Sequence, residues 1–299
     1  MANASQPGDP AVDPPLPAVD PALPSLERQA SRVRVVAVRG GRVEERDDRL
    51  SGEEPMAIRA CGPGQAPVDV AVTMRTPGHE AELAVGFLTS EGLLEGTTVT
   101  GVTFADAATN SRPDDEVTVH LDRPFDASRV AERHFVATAS CGICGKATLD
   151  EVEVRCGPIP DGPVVDPTTL LALPGRLREA QAVFEATGGL HAAGLFDVAG
   201  RLIALREDVG RHNALDKLIG SRVLAAELPL HDRILLVSGR ASFELVQKAA
   251  VAGVPILAAV SAPSDLAVEA AQRLGVTLVG FLRDDGFNVY ARRERVSIR

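Results

Sequence analysis

The sequence has no tryptophan, one tyrosine and only four cysteines among its 299 residues. Four cysteines are too few for a disulfide framework in a chain of this length, so we expect free thiols and a cytoplasmic protein. There is no run of about 18 apolar residues, which excludes a membrane-spanning helix, and the amino terminus lacks the basic and apolar regions of a secretory signal. The net charge of −10 argues against a general nucleic-acid binder, although a local basic pocket for phosphates is compatible with it.

Lysine is also scarce, because only three of the 31 basic residues are lysines: Lys146, Lys217 and Lys248. Lys146 and Lys217 fall in segments that other features of the sequence also single out. Their location can be due to chance, or a lysine can be retained at a position that needs a compact ammonium group. The patterns G-x-x-x-x-G-K-[ST] and G-x-G-x-x-G are both absent, so the chain has neither a P-loop nor a Rossmann fingerprint.

Two of the four cysteines, Cys141 and Cys144, are separated by two residues in the segment 140–146, among small residues and one lysine. An apolar segment precedes the pair and a helical pattern follows it, which predicts that the pair lies where a strand turns into a helix. A thiol at a helix start has a lowered pKa, because the helix dipole and unpaired N–H groups stabilise the thiolate. The first hypothesis is therefore sulfur chemistry.

Two other interpretations of this pair remain open. A zinc site needs four ligands, or three and a water molecule; Cys156 and His134 are the candidates to complete one, but the spacing matches no zinc-finger pattern. The zinc deaminase pattern requires H-x-E and P-C-x-x-C, whereas H-x-E is absent here and Ser140 stands at the proline position. A dithiol oxidoreductase is the second alternative, although the aromatic residue that precedes the thioredoxin pair is missing. Cys61 and Cys156 lack close partners in the sequence and are predicted to be inert.

Composition and periodicity divide the chain into three parts. Residues 1–30 contain seven prolines and are predicted to be a disordered tail. Residues 31–130 are predicted to form a smaller N-terminal α+β subdomain, and residues 131–299 an α/β core. In the core, apolar strands alternate with helices, which predicts a mixed, largely parallel sheet with both faces covered.

Two helices have sequence signals for their ends. Thr76 is a predicted N-cap and Pro77 a predicted first helical residue, in a helix that ends at Gly92. A second helix is predicted over 168–187, with a break near Pro174 because proline disrupts the helical hydrogen bonds.

Three predicted core strands end in polar or glycine-rich turns, at 238–240, 261–264 and 283–286. Ligands of α/β sheets bind beyond the carboxyl ends of the strands, and the first two turns lead into helix amino termini, which attract anions. Arg240 and Arg283 can form bidentate phosphate contacts, and the acidic pair beside Arg283 can bind a guanine edge or a sugar hydroxyl. Ordinary turn chemistry explains any single turn, whereas three turns on one edge favour a nucleotide-like ligand.

A polar block over 206–217 leads into a further predicted helix. Two pairs of residues four apart share helix faces: His212 with Asp216, and Asn213 with Lys217. These faces border the apolar stripe and favour the lining of a pocket, with a solvated helix start as the alternative. His191 follows a Gly-Gly-Leu segment and has three candidate roles. It can act as a general acid/base, it can orient a thiol, or it can be a structural residue.

Together these motifs resemble the formate dehydrogenase accessory sulfurtransferase (FdhD) family over about residues 50–291. The resemblance is carried by segments in a fixed order: 74–92, 140–146, 188–191, 207–217, 238–240 and 281–290. The cysteine pair shows no departure from the family's pattern, and residues before 30 lie outside the resemblance.

The resemblance implies a cytidine-deaminase-like α/β core without the deaminase zinc site, acting as a homodimer. It implies a sulfurtransferase that takes sulfur from a cysteine desulfurase and passes it to the molybdenum bis(molybdopterin guanine dinucleotide) cofactor before insertion into formate dehydrogenase. Carried over, Cys141 is the persulfide carrier, and Cys144 assists it or shares the sulfur. The alternatives are a non-enzymatic cofactor chaperone, whose cysteines only contact the metal, and a dithiol oxidoreductase.

The cofactor site is assigned from the resemblance and from the strand-end and helix patterns. The resemblance implies contacts by Phe281, Leu282, Arg283, Asp284, Asp285 and Gly286. The patterns add Ser238, Gly239, Arg240, Arg211, His212 and Lys217. Lys146 and Lys217 are candidates to hold the thiolate or the phosphates, and no permanent metal is expected.

Overall fold

The computed structural model describes residues 26–94, 96–106, 112–131 and 157–298. Most of the predicted tail and the segment 140–146 therefore lie outside the described residues. Leu26–Gln29 forms a short helix, α1, and Ala30 begins a strand. Within the described ranges, no helix combines the length and the apolar character that crossing a membrane requires.

The amino-terminal part contains two sheets. A two-stranded antiparallel ribbon is formed by β1 (Ala30–Arg39) and β2 (Arg42–Ser51). The following elements are β3 (Glu54–Cys61), β4 (Val68–Arg75), helix α2 (Glu80–Ser90), β5 (Val99–Phe104), a 3-10 turn (Pro113–Asp115), β6 (Glu116–Leu121) and helix α3 (Ser128–Ala131). Their four strands form a sheet in the order β4–β3–β6–β5, with β3 and β6 parallel. Apolar side chains of this sheet and of α2 share one core.

The carboxyl-terminal part forms a six-stranded sheet with helices on both faces. Its elements are α4 (Pro167–Ala180), α5 (Ala182–Thr187), β7 (His191–Asp197), β8 (Leu202–Asp208), α6 (Arg211–Leu224), β9 (Arg233–Val237), α7 (Phe243–Val251), β10 (Ile256–Ala259), α8 (Asp265–Arg273), β11 (Thr277–Arg283), β12 (Gly286–Ala291) and a 3-10 turn (Arg293–Arg295). The strand order is β12–β11–β10–β9–β7–β8. One face packs against α6, α7 and α8, and the other against α4.

The six-stranded sheet is mixed, as predicted, but it is not largely parallel. Parallel pairing joins β9 to β10 and β10 to β11, whereas β7–β8, β7–β9 and β11–β12 are antiparallel. The reason is the length of the connections. Short turns at 198–201 and 284–285 allow only antiparallel pairing, while α7 and α8 provide the long crossovers that parallel strands need.

Helix α2 begins at Glu80, so the predicted start at Thr76 and Pro77 is wrong. Thr76 serves a tertiary contact instead. Its N–H donates to Asp208 Oδ2 at 3.1 Å, and its hydroxyl oxygen accepts from the N–H of Val209 at 3.0 Å. The Thr76 hydroxyl, the group that would cap a helix, is thus used by the N–H of Val209, which is far away in the sequence.

The predicted break near Pro174 is also wrong, because Pro174 lies inside α4 and the interruption falls at Gln181. At that point the Glu207 carboxylate accepts hydrogen bonds from the N–H groups of Val183 at 3.1 Å and Phe184 at 2.8 Å. These bonds give α5 its own amino terminus. A side chain at the end of β8 therefore sets the position of the break.

Helices α2 and α6 connect the two parts of the molecule and cross at a pair of glycines. A Cβ on Gly86 would lie 1.8 Å from the carbonyl oxygen of Asp216, and a Cβ on Gly220 would lie 1.8 Å from that of Glu82. The two helix backbones are therefore in direct contact. This contact fixes the position of α6, whose first residue is Arg211.

Candidate functional site

One edge of the six-stranded sheet collects the polar strand ends. The parallel strands β9, β10 and β11 end at this edge, and β7, antiparallel to β9, begins there with His191. The turn after β9 is hydrogen-bonded to the turn after β10, because Ser261 donates its N–H to the Gly239 carbonyl at 3.4 Å. Phe281 of β11 donates its N–H to the Ser261 carbonyl at 3.1 Å. The first two turns singled out in the sequence therefore meet beside β11, whose carboxyl end leads into the third.

Three helices also begin at this edge, namely α6, α7 and α8. Ser264 caps α8, because its hydroxyl oxygen accepts from the N–H of Ala267 at 3.2 Å. At the starts of α6 and α7, in contrast, the described structure has no side-chain cap. Uncapped N–H groups and the positive end of the helix dipole attract anions.

Arg211 adds a positive charge that interacts electrostatically with the Glu244 carboxylate but forms no ion pair within 4 Å among the described residues. Its Nε is buried and has no hydrogen-bond partner in this part of the chain. Gly239 leaves open space next to it, since a Cβ there would lie 3.8 Å from Arg211 Cδ and 3.4 Å from His191 Nδ1. A guanidinium nitrogen withdrawn from water is costly unless an anion binds it. This edge therefore has the chemistry of a phosphate or diphosphate site.

His191 and His212 lie near Arg211 and stay uncharged at neutral pH. Burial, and then the charge of Arg211, lower the pKa of His191. Burial, followed by the charges of Lys248 and Arg211, lowers the pKa of His212 to about 3. His212 Nε2 forms a hydrogen bond with Ser242 Oγ at 3.3 Å, and Glu244 Oε2 lies 3.4 Å from the same nitrogen. Arg211 therefore supplies the positive charge, and the two imidazoles supply neutral hydrogen-bonding groups.

The remaining predicted contacts at the ends of the strands are divided between surface and core. Arg240, Arg283 and the turn 284–285 are exposed, and Phe281 is 40% exposed with a left-handed backbone (φ 52°). The side chain of Leu282 is fully buried in the core shared with α4, so the contact predicted for this residue is left to its backbone.

Lys217 does not present its charge to this edge. Its side chain is 1% exposed, and Nζ lies 2.7 Å from Asp208 Oδ2 and donates to the Thr76 carbonyl at 2.8 Å. The Lys217 ammonium is therefore engaged inside the protein in this structure, and its contact with phosphate stays a prediction. The buried pair instead ties α6 to the segment before α2.

Lys248, to which the sequence assigned no role, forms a second buried charge cluster. Its Nζ donates to Ser90 Oγ at 2.9 Å, to Glu91 Oε1 at 2.9 Å and to the Asp216 carboxylate at 3.1 Å, with Glu244 Oε1 at 3.7 Å. Burial raises the pKa of Asp216 to about 6, although the Lys248 charge acts in the opposite direction. An ammonium group has three donors and here finds three acceptors. Both described lysines thus occupy buried positions that suit a compact ammonium.

The thiol chemistry predicted for Cys141 and Cys144 lies outside the described residues, as do the zinc candidates Cys156 and His134. Cys61 is described and is buried, with Sγ 3.4 Å from His120 Nδ1, a contact that the sequence did not reveal. In the described ranges, no three His, Cys, Asp or Glu side chains form a cluster suited to a metal ion.

A cleft that sequence reasoning missed opens beside the edge. It has a volume of about 540 Å³ and is lined by Pro174, Leu177, Arg178, Gln181, Phe184, Gly188, Gly189, Leu190, His191, Ser238 and Val260. Four of these residues belong to α4 and α5, whose sequence signals are those of ordinary surface helices. Of the features singled out in the sequence, the Gly-Gly-Leu-His segment at 188–191 and Ser238 line the cleft.

Arg211 gives a direct test of the anion site. Replacing Arg211 with glutamine is expected to weaken binding of inorganic pyrophosphate about tenfold or more, because a hydrogen bond to a charged group contributes about 1.5–3 kcal/mol. Titration calorimetry measures this change. Arg222→Gln, which removes an arginine near the other end of α6 where it pairs with Glu227, is the matched control and is expected to bind normally. Equal affinities of wild type and Arg211→Gln would show that pyrophosphate does not bind at this edge.

The fold is a mixed α/β architecture whose sheet edge has the features of an anion-binding site. The sequence profile of the FdhD/NarQ family matches residues 52–297, and the chain belongs to that family. The sulfur carrier protein FdhD of Streptomyces coelicolor is 49% identical over 281 residues, which cover 92% of this chain and 98% of that protein. The protein of the same name from Sulfurisphaera tokodaii is 42% identical over 270 residues, with 90% and 99% covered.

A solved structure supports the fold independently. The crystal structure of a formate dehydrogenase accessory protein from Desulfotalea psychrophila matches with a TM-score of 0.66 and 23% sequence identity, covering 90% of this chain and 99% of that chain. At this level of identity the likeness shows the mixed α/β fold alone. The cytidine-deaminase-like character of the core stays a prediction.

Proposed function

We propose that this protein is a sulfur carrier for formate dehydrogenase. It accepts sulfur from a cysteine desulfurase as a persulfide on Cys141 and transfers it to the molybdenum bis(molybdopterin guanine dinucleotide) cofactor. Relatives at 42% and 49% identity are sulfur carrier proteins by name, which supports the carrier role. The observation that carries the cofactor part is Arg211, whose buried Nε has no hydrogen-bond partner among the described residues, at a sheet edge where uncapped helices begin.

The described residues suit the diphosphate and guanine groups of such a substrate. Arg211 and the uncapped first turns of α6 and α7 can bind phosphate oxygens, and Gly239 allows the backbone to come close. The exposed Arg240 and Arg283 flank the edge and add positive charge. The exposed carboxylates of the turn 284–285 can accept hydrogen bonds from the N–H groups of a guanine edge.

The first chemical step is a thiol–persulfide exchange. The Cys141 thiolate attacks the outer sulfur of the desulfurase persulfide, a new S–S bond forms on Cys141, and the bond within the donor persulfide breaks. The desulfurase cysteine leaves as a thiolate, so no external oxidant or reductant is needed. The product is a Cys141 persulfide, which is a reversible modification.

Cys144 can release the outer sulfur from the Cys141 persulfide without an external oxidant. Its thiolate attacks the inner sulfur of the Cys141 persulfide, which forms a Cys141–Cys144 disulfide and releases hydrosulfide for delivery to the bound cofactor. The released sulfur gains two electrons and the cysteine pair loses two. A cellular dithiol reductant then restores both thiols.

Intact mass spectrometry tests the first step. Incubation with a cysteine desulfurase and cysteine is expected to add about 32 Da, one sulfur atom, to the wild type and nothing to the Cys141→Ser, Cys144→Ser double variant. Cys61→Ser is the matched control, because it removes a thiol on β3 and is expected to keep the adduct. An undiminished adduct on the double variant would contradict the proposal. A double variant that still activates formate dehydrogenase would favour the chaperone alternative.

The proposal includes the wider setting implied by the resemblance. The protein acts as a homodimer in the cytoplasm, and its protein partners are the cysteine desulfurase and the catalytic subunit of formate dehydrogenase. It is a sulfurtransferase because the persulfide is formed and consumed within each transfer cycle.

A further inference from the structure

The cleft between the helices α4 and α5 and the sheet edge contains none of the residues assigned to the cofactor by sequence except Ser238. Its volume of about 540 Å³ is within the range of small-molecule sites, about 300–1,000 Å³. Several of its lining side chains are apolar, among them Leu177, Phe184 and Val260. A cleft of this size with apolar walls suits a ring system rather than a chain of phosphates.

One wall of the cleft consists of two planar side chains. The Arg178 guanidinium lies over the Phe184 ring, with Cζ 4.4 Å from the ring centroid. Glu185 Oε2 accepts a hydrogen bond from Arg178 at 2.7 Å, so the arginine charge is neutralised and its flat face remains for stacking. Stacked guanidinium and aromatic groups are typical walls for planar heterocycles.

Three polar groups of the cleft have hydrogen-bonding capacity that the described residues leave unused. Gln181 is 5% exposed, yet its side-chain amide forms no hydrogen bond within the described part of the chain. The half-buried His191 ring likewise has no hydrogen-bond partner in these ranges. Ser238 Oγ accepts from the N–H of Ala192 at 2.9 Å, which leaves its O–H proton available. An amide, an imidazole and a hydroxyl therefore face one small space with unused donors and acceptors.

The shape of the cleft is set by contacts outside it. The Glu207 carboxylate holds the first turn of α5, which carries Phe184, through two backbone hydrogen bonds. Gly188 ends α5 in a left-handed conformation (φ 67°), which turns the chain directly into the strand that begins with His191. Helix α5, which carries Phe184, is thus fixed to the ends of β7 and β8 before any ligand binds, as expected of a preformed site.

We propose that this cleft binds a planar, nitrogen-rich heteroaromatic ring. The ring stacks on the Arg178–Phe184 wall, and its polar edge exchanges hydrogen bonds with the Gln181 amide, the His191 ring and the Ser238 hydroxyl. The identity of the ring rests on the proposed function, because the dinucleotide substrate offers two rings of this chemistry, a guanine and a pterin. The cleft is adjacent to the Arg211 site, so the phosphates and the ring of one ligand can be bound together.

Binding measurements with separate probes test this site and distinguish the two sources. GDP supplies guanine with a diphosphate, and neopterin supplies a pterin without one. At least one of the two is expected to bind, and Gln181→Leu and Phe184→Leu are each expected to weaken that binding about tenfold. Gln247→Leu is the matched control, since Gln247 is equally buried at 5% exposure but lies on α7, away from the cleft. Its affinity is expected to equal that of the wild type.

Hydrogen–deuterium exchange on the wild type provides a test that needs no variant. The probe that binds is expected to protect the segment 181–191. Protection at 283–286 without protection at 181–191, no binding of either probe, or equal losses in Gln181→Leu and Gln247→Leu would each overturn the proposal. These outcomes leave sulfur loading of Cys141 intact, whereas failure of the proposed function removes the sulfur adduct without affecting ring binding.

Discussion

Replacing Gly220 with alanine is expected to lower the free energy of unfolding by about 3 kcal/mol or more, at the upper end of what overpacking costs. The added methyl group would lie 1.8 Å from the Glu82 carbonyl oxygen and 2.7 Å from the backbone nitrogen of Gly86. Both atoms belong to the backbone of α2, so no side chain can rotate to make room. The two helices must separate, which opens the contact between the amino-terminal part and the six-stranded sheet. Urea denaturation measures the loss.

A second glycine provides the control for this experiment. Gly175 also lies in a helix, α4, but a Cβ there would meet nothing within 4 Å. Gly175→Ala is expected to raise the free energy of unfolding by about 0.5–1 kcal/mol, because alanine is the better helix former. If the two alanine variants had equal stability, the close crossing of α2 and α6 would be refuted.

Replacing Lys248 with methionine is expected to lower the free energy of unfolding by about 3–5 kcal/mol, the usual cost of removing one partner of a buried ion pair. Methionine retains much of the side-chain volume, so the loss is electrostatic. The change leaves the carboxylates of Asp216, Glu91 and Glu244 without the ammonium that lies within 2.9–3.7 Å of them. Thermal and urea denaturation measure the loss.

The pH dependence of this variant has a definite sign. Burial already raises the pKa of Asp216 to about 6 in the presence of Lys248, and removal of that cation raises it further. A carboxyl with a raised folded-state pKa takes up a proton more readily in the folded than in the unfolded state, so the folded state gains stability as the pH falls. The difference between wild type and Lys248→Met is therefore expected to shrink between pH 8 and pH 5.

An exposed cation provides the comparison. Arg34 lies 3.4 Å from Glu45 and 3.3 Å from Asp47 on the two-stranded ribbon, with a side chain that is 64% exposed. Arg34→Met is expected to change the free energy of unfolding by less than about 1 kcal/mol, because solvent screens such pairs. A similarly small effect of Lys248→Met would mean that the buried cluster does not stabilise the fold.

The two buried lysine clusters also explain how the candidate site is held. Lys217 connects α6 to the Thr76 carbonyl, and Lys248 connects α7 to α2 and α6. Both helices begin at the sheet edge where Arg211 lies. The buried charged groups therefore hold the uncapped first turns of α6 and α7 in place. The anion-binding groups at the sheet edge take no part in these buried contacts.

The sequence by itself determined the features that depend on local chemistry. The alternation of strands and helices, the end of α2 near Gly92 and the polar turns after β9, β10 and β11 follow from periodicity and turn residues. Because strands joined by crossover helices run parallel, those turns had to meet at one edge. The motifs also sufficed to recognise the family, and they carry the hypothesis for Cys141 and Cys144.

Only the tertiary structure decided which polar groups are used internally and which are left for a ligand. Thr76 was predicted to cap a helix, and Lys217 and Leu282 to contact a ligand. In the structure Thr76 and Lys217 bind Asp208, and Leu282 packs in the core. The buried Nε of Arg211 and the side-chain amide of Gln181, in contrast, have no hydrogen-bond partner among the described residues. The break of the helix at Gln181 likewise depends on Glu207, which is far away in the sequence. The physical reason is the same in each case. Hydrogen bonds and ion pairs in a protein interior are settled by competition between groups that only folding brings together, and periodicity along the chain carries no information about that competition.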